Sequence, residues 1–308
     1  MMRFIMPDNI SDVSQKAKAV LAQLEELLHS EALREILGIL DVDTHTLERT
    51  YNKRAGANGT VVELQGLDSS VSLEEKREVL YPLFRELGFI DINKPVKKNH
   101  SRIIVLGGSL NACNERTECA KNWIDETTVY VDGLACYRPI GSAERKNAGF
   151  SLCDTEFGAM SENFVRVFNL DGREFTEDFK SNRNLNSVSC VRNYGKADNR
   201  EYRIYAAPSS EPHLRRADTA DTLSFYYDCE GQIGAGDSAL FVTNNRHCNR
   251  QFLQLAYCMI KGGYGGTIDV IGCYSDENVT SVDKYDPLLY LQDLIGIIDW
   301  MNRFKTLV

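Results

Sequence analysis

The chain has 308 residues, 43% of them hydrophobic, enough for one large core or a core with a smaller companion domain. Its 44 acidic and 35 basic residues leave a net charge of -9, which excludes a surface that attracts nucleic acid or anionic lipid over its whole extent. No apolar run approaches the roughly 18 residues of a spanning helix.

Met1 to Met6 is followed at once by Pro7-Asp8-Asn9 and is not read as a secretory signal. The nine cysteines all fall between Cys113 and Cys273, odd in number and with no C-x-x-C pair. Free thiols in a cytoplasmic protein explain this better than a disulfide frame or a structural metal site. No metal site, nucleic acid or membrane partner is expected from this composition, while a local basic pocket for a phosphate or carboxylate is compatible with it.

Residues 10 to 95 read as helical. Val13, Ala17, Val20, Leu21, Leu24, Leu27 and Leu28 share one helical face, with Ser11 as the N-cap. Glu31 to Leu40 and Leu47 to Lys53 continue the pattern. Ser72-Leu-Glu-Glu75 has the form of a capping box, opening a helix that Gly88 closes and Pro82 kinks or restarts. The polar stretch Ile92 to His100 marks a boundary, giving domains of 1–98 and 99–308.

From Ser101 strands and helices alternate. The strands expected are Ile103 to Leu106, Thr127 to Val131, Val165 to Asn169, Tyr202 to Ala206, Ala239 to Thr243 and Thr267 to Ile271. The helices expected are Glu115 to Asp125, Glu156 to Asn163, Thr219 to Tyr227, Asn249 to Lys261 and Pro287 to Phe304. This alternation predicts an α/β fold: a mostly parallel sheet with helices on both faces, preceded by a small all-helical domain. Residues 171 to 201, rich in Asn, Arg, Asp and Ser, read as an insertion, a hairpin or lid over or beside the sheet. The loop Gly262 to Gly266 follows a helix, which suits a turn better than a phosphate loop. The last helix carries Leu288, Leu291, Leu294, Ile295 and Ile298 as core packing.

Chemistry is expected at the carboxyl ends of the strands. Arg102-Ile-Ile-Val-Leu-Gly-Gly-Ser109 reads as a buried strand entering a tight turn, where Gly107, Gly108 and Ser109 allow close backbone approach and Arg116 can hold an anion. Asp132, Gly133 and Arg138 repeat the layout at the second strand, and Glu156 opens the next helix. Arg215 and Arg216 meet a helix start that carries Asp218, Thr219 and Asp221. Asn244, His247 and Arg250 follow an apolar strand, and a histidine there suits acid–base work. Cys248 is read as a buried spectator.

In their order, these motifs resemble the YdcF/SanA/ElyC-like family, a bacterial domain with a Rossmann-like fold. Its V-L-G-G is Val105 to Gly108, its helix arginine Arg116, and its helix-opening glutamate Glu156. Its S-G-G is matched in part by Asp132-Gly133-Leu134. Its S-x-N-T-x-E-N corresponds to Arg216-Ala-Asp-Thr-Ala-Asp-Thr222, and its V-T-S-x-x-H-x-x-R to Val242-Thr-Asn-Asn-Arg-His-Cys-Asn-Arg250. The match covers about residues 101 to 275. The resemblance implies a three-layer Rossmann-like domain with a pocket at the sheet's carboxyl edge. It implies a nucleotide-like ligand, and S-adenosylmethionine is associated with one branch.

The expected function is binding of a nucleotide-like or phosphorylated small molecule. Arg116, Arg216 and Arg250 would hold the anion, and His247 would transfer a proton in a hydrolase or transferase, with Asp132 or Glu156 orienting it. The alternatives are a binding or sensing module without turnover, and an interaction protein acting through its N-terminal helices. The functional expectation as a whole requires Gly107, Arg116, Asp218 and His247 to converge on one crevice.

Overall fold

The computed structural model describes residues 2–7, 12–51, 73–142, 144–145, 153–230, 236–273 and 286–308, so the expected caps Ser11 and Ser72 lie outside the described residues. Helix α1 (Val13–Leu28) starts at Asp12, whose carboxylate accepts from the Gln15 amide at 2.7 Å. Helix α2 (Glu31–Leu40) is capped by Ser30 and closed by Asp41 at φ 54°. Asp43 accepts from the Thr46 amide at the start of α3 (Thr44–Tyr51). A 3-10 turn, Glu74–Lys76, leads into α4 (Arg77–Glu86), which runs on through Pro82.

The remaining elements alternate. They are β1 (Arg102–Leu106), α5 (Leu110–Lys121), β2 (Tyr130–Ala135), α6 (Glu156–Val167), β3 (Thr176–Lys180), β4 (Ser189–Ala197) and β5 (Arg200–Ala206). Then follow α7 (Thr219–Glu230), β6 (Ser238–Thr243), α8 (Cys248–Gly262), β7 (Thr267–Gly272) and α9 (Pro287–Lys305).

The chain forms two compact units. One holds residues 1–93, 245–263 and 274–308, the other 94–244 and 264–273. They are not the consecutive segments 1–98 and 99–308, because α8 and α9 group with the N-terminal helices. In that helical unit Tyr81, Phe84, Phe89 and Tyr290 pack as one aromatic cluster, with Phe84 and Tyr290 stacked at 5.0 Å. Asn249 and Asn245 donate to the carbonyls of Leu87 and Ile90, which follow α4, at 3.0 and 2.8 Å.

The other unit is built on a seven-stranded sheet in the order β3-β4-β5-β2-β1-β6-β7. Five strands, β5, β2, β1, β6 and β7, are parallel, while β3 and β4 are antiparallel. The central strands are apolar because both their faces are covered. On one face Ile103, Val105, Val131, Ile204 and Leu240 pack with Cys113 of α5 and Phe157, Met160 and Phe164 of α6. On the opposite face Tyr226 of α7 donates to Asp132 at 2.7 Å.

Three sequence expectations are corrected. Val165 to Asn169 is not a strand: α6 runs to Val167, with Phe164, Val167 and Phe168 buried at helical spacing. A short apolar run alone cannot separate the two possibilities. The second strand is Tyr130–Ala135 rather than Thr127 to Val131, because Asp125 bonds Thr127 and Thr128 and holds them in a turn. Helix α5 starts at Leu110, five residues earlier than expected, with Ser109 accepting from the Ala112 amide. Residues 171 to 201 extend the sheet itself. Asp198 and Asn199, at φ 49° and 64°, form the two-residue turn between β4 and β5, the conformation a type I′ hairpin needs. Among the described residues, no helix is long and apolar enough to cross a membrane.

Candidate functional site

The turn after β1 is held by a buried arginine. Arg116 lies in the second turn of α5 and is 2% exposed. Its Nε donates to Asn244 Oδ1 at 2.7 Å, and its Nη1 to the carbonyls of Leu106 and Gly107. These carbonyls end β1, so Arg116 binds backbone, where the sequence suggested a ligand anion. The Gly107 amide donates to Leu134 at 2.7 Å, extending the β1–β2 ladder past the last paired residue. A Cβ on Gly108 would come 3.0 Å from that of Ala112, so the missing side chain lets the turn close onto α5.

Beside this turn lies a cluster of four charges. The segment after β2 zips onto the start of α6: the Glu156 amide donates to Arg138, and the Phe157 amide to Cys136. This brings the Arg138 guanidinium to Glu156, with Nε 3.0 Å from Oε2. Nη2 of Arg138 also donates to the Gly108 carbonyl at 2.8 Å. Nη1 and Nη2 reach the two oxygens of Glu144 at 2.6 and 3.2 Å, and the Leu110 amide donates to the same carboxylate at 3.3 Å. Arg216, 44% exposed, stands 3.8 Å from Glu156. Burial opposes the charge on Arg138, yet Glu156 and Glu144 hold its pKa above the ordinary arginine value.

Two thiols border the cluster. Cys136 Sγ is 3.8 Å from Glu156, and Cys113 is fully buried beneath Gly108. Burial, reinforced by Glu156, pushes both thiols up to about 12. At neutral pH both rest as protonated thiols. All nine cysteines are unbridged.

Several residues expected at the site stand elsewhere in the same unit. Asp132 lies inside β2, paired with Ile104 and Arg203, and not at the strand's end. It is fully buried on the α7 face, bonded to Arg203 at 3.1 Å and near Arg102. Gly133 makes room for α6: a Cβ there would come 2.9 Å from Met160 and 3.1 Å from Phe164. Asp218 and Asp221 form a reciprocal cap, Asp218 accepting from the Asp221 amide and Asp221 from the Asp218 amide, both at 3.0 Å. Thr219 is the first residue of α7, and Arg215 is engaged by Asp221 at 2.5 Å and Glu211 at 2.9 Å. Despite burial, Arg215 and Ser210 hold Asp221 below the usual carboxylate range.

His247 and Arg250 belong to the helical unit. His247 Nδ1 is 2.9 Å from Asp293 Oδ1, and Arg250 Nε is 2.5 Å from the same oxygen. Arg246 Nε donates to His247 Nε2 at 3.3 Å, so Nε2 is the accepting nitrogen and Nδ1 carries the proton. Burial pulls the His247 pKa down to about 3, against the pull of Asp293. Asp293 is held well below the usual carboxylate range by His247 and Arg250, although burial works the other way. The sequence reading missed Asp293, one of two carboxylates in the last helix. It also missed Glu144, which stands in no recognisable pattern.

A cavity of about 590 Å³ in the sheet unit runs between α6 and β4, lined by Val165, Phe175, Arg192 and Tyr194 among others. None of the residues singled out in the sequence line it. Arg192 there lies over the rings of Phe157 and Phe175 and is bonded to Glu177, so it serves the hairpin's own packing. Convergent ionic groups favour the strand-edge cluster as the functional site. Among the described residues, no group of three or more His, Cys, Asp or Glu is arranged to hold a metal ion. In comparisons with known proteins, no family model, curated protein or solved structure matches the chain.

Proposed function

We propose that the chain is a Rossmann-like, YdcF-like protein that binds a phosphorylated or nucleotide-like small molecule at the carboxyl edge of its parallel strands. The observation that carries this reading is the strand order. β2 and β5 lie to one side of β1 and β6 and β7 to the other, so the chain reverses direction at β1. In doubly wound sheets ligands sit in the crevice outside such a switch point. Here the switch point coincides with the Gly107-Gly108 turn, which has Arg138, Glu156 and Arg216 on one side and Asn244, after β6, on the other. Paired guanidinium and backbone donors are the groups that recognise phosphate.

His247, the acid–base residue expected from the sequence, belongs to the helical unit and is bonded there to Asp293 and Arg246, so the binding reading does not rest on it. The chemistry expected from the sequence, if the ligand is turned over, is hydrolysis or group transfer. The second reading is a non-catalytic nucleotide or S-adenosylmethionine sensor. It is favoured by the bonds that tie Arg116 Nε and Nη1 to Asn244 and to backbone carbonyls, which suit a rigid binding turn.

Native mass spectrometry of the purified protein tests the binding claim, followed by thermal shift with ADP, ATP and S-adenosylmethionine. The expected result is a co-purifying or stabilising phosphorylated compound whose binding weakens about tenfold or more in Arg216→Ala, the loss of a charge-assisted hydrogen bond. No shift with any member of the panel sinks it. Turnover of a bound compound identifies an enzyme, and binding without turnover identifies a sensor.

A further inference from the structure

We propose that Glu144 is an in-chain stand-in for the ligand's anionic group, so that the site holds its own carboxylate and binds a ligand by displacing it. This inference rests on the anion-binding reading of the strand-edge cluster.

Arg138 is fixed before Glu144 contributes anything. Its Nε is taken by Glu156 and one Nη2 bond by the Gly108 carbonyl. The guanidinium edge that remains presents one N–H from Nη1 and one from Nη2, and these meet the two oxygens of Glu144 at 2.6 and 3.2 Å. That forked geometry suits a carboxylate and a phosphoryl group equally. The Leu110 amide, the first of α5, supplies a third donor at 3.3 Å.

The two carboxylates on Arg138 are not equivalent. The Glu156 side chain is 6% exposed, matching the 6% of Arg138, whereas that of Glu144 is 21% exposed. Glu156 already supplies Arg138 with a buried counter-charge. Glu144 is therefore the replaceable partner: it can return to water, and an incoming oxyanion can take all three donors without unpairing Arg138. The selected group is one whose two oxygens span a guanidinium edge, as in a terminal phosphate. Occupancy by Glu144 lowers the apparent affinity by the fraction of time the seat is taken.

The test is calorimetric titration of the full chain, as wild type, Glu144→Gln and Glu144→Ala, with inorganic phosphate and with ADP. Both variants are expected to bind phosphate about tenfold or more tightly than wild type, as removal of an occupant held nine-tenths of the time requires. Glu144→Gln keeps the side-chain volume, so it reports even where the alanine variant is less stable. Wild type that binds phosphate as tightly as both variants, or more tightly, overturns this inference and leaves the anion site standing. Absence of binding by all three proteins, with either probe, overturns the anion site and this inference with it.

Discussion

Gly107 lies against the carboxylate of Glu156: a Cβ built on it would overlap Glu156 Oε1 and come within 2.7 Å of the Leu134 carbonyl. The turn after β1 and the start of α6 therefore fit together only with glycine at this position. Gly107→Ala should cost about 1–3 kcal/mol, the usual range for overpacking. It should also move Glu156 off Arg138 and weaken phosphate binding. Thermal melts and titration on one preparation check both effects, and an unchanged melting temperature contradicts the close fit.

Arg116 invites a different substitution. Its Nε and Nη1 tie Asn244 to the carbonyls of Leu106 and Gly107, and a lysine has neither the fork nor the reach to replace all three bonds. Arg116→Lys keeps the charge and should still destabilise by about 1–3 kcal/mol per carbonyl left unsatisfied. Ligand affinity should fall with it, because the turn is no longer held. Affinity lost without any loss of stability would mean that Arg116 touches the ligand directly.

Asp132 separates fold from function. It sits inside β2 between Arg203 and Tyr226 and is fully buried. Asp132→Asn leaves Arg203 with a weakened partner in the interior, for which a loss of about 3–5 kcal/mol is typical. Phosphate affinity of the folded fraction should not change. A selective loss of binding, with stability kept, would return Asp132 to the site that the sequence suggested for it.

These three positions also show what the sequence can convey. The β1 turn was legible because four apolar residues in a row followed by two glycines have few other readings. Arg138 and Glu156 were flagged separately for their strand-end and helix-start positions, and the fold brings them together at 3.0 Å. Asp132 misled because the turn at Asp125 moved the strand three residues along the chain, from the expected start at Thr127 to Tyr130. Strand β3 was invisible since all five of its residues are exposed, so no apolar alternation marks it. Glu144 and Asp293 were missed for one reason: a single carboxylate carries no pattern until its arginine partners, which lie elsewhere in the chain, are located in space.

The His247–Asp293 pair makes the helical unit acid-sensitive, with a sign that can be worked out. The folded-state pKa of His247, about 3, lies below its ordinary value of 6.5. Between those limits the unfolded chain takes up a proton that the folded chain refuses. Stability from this residue is complete above about pH 6.5 and falls by at most about 1.4 kcal/mol per pH unit as pH drops toward 3. Asp293 acts in the same direction at lower pH. Its folded-state value is depressed, so its contribution is present above its unfolded value and is lost as pH falls through the folded one. Urea unfolding midpoints measured from pH 7 to 4 should therefore decline in wild type. In His247→Gln the decline should be shallower, because glutamine can occupy the space beside Asp293 without titrating. Asp293→Asn should lose about 3–5 kcal/mol already at pH 7, since Arg250 is left buried beside an uncharged amide. Equal slopes in wild type and His247→Gln would mean that the imidazole takes up its proton as readily in the folded chain as in the unfolded one, which contradicts the depressed folded-state value.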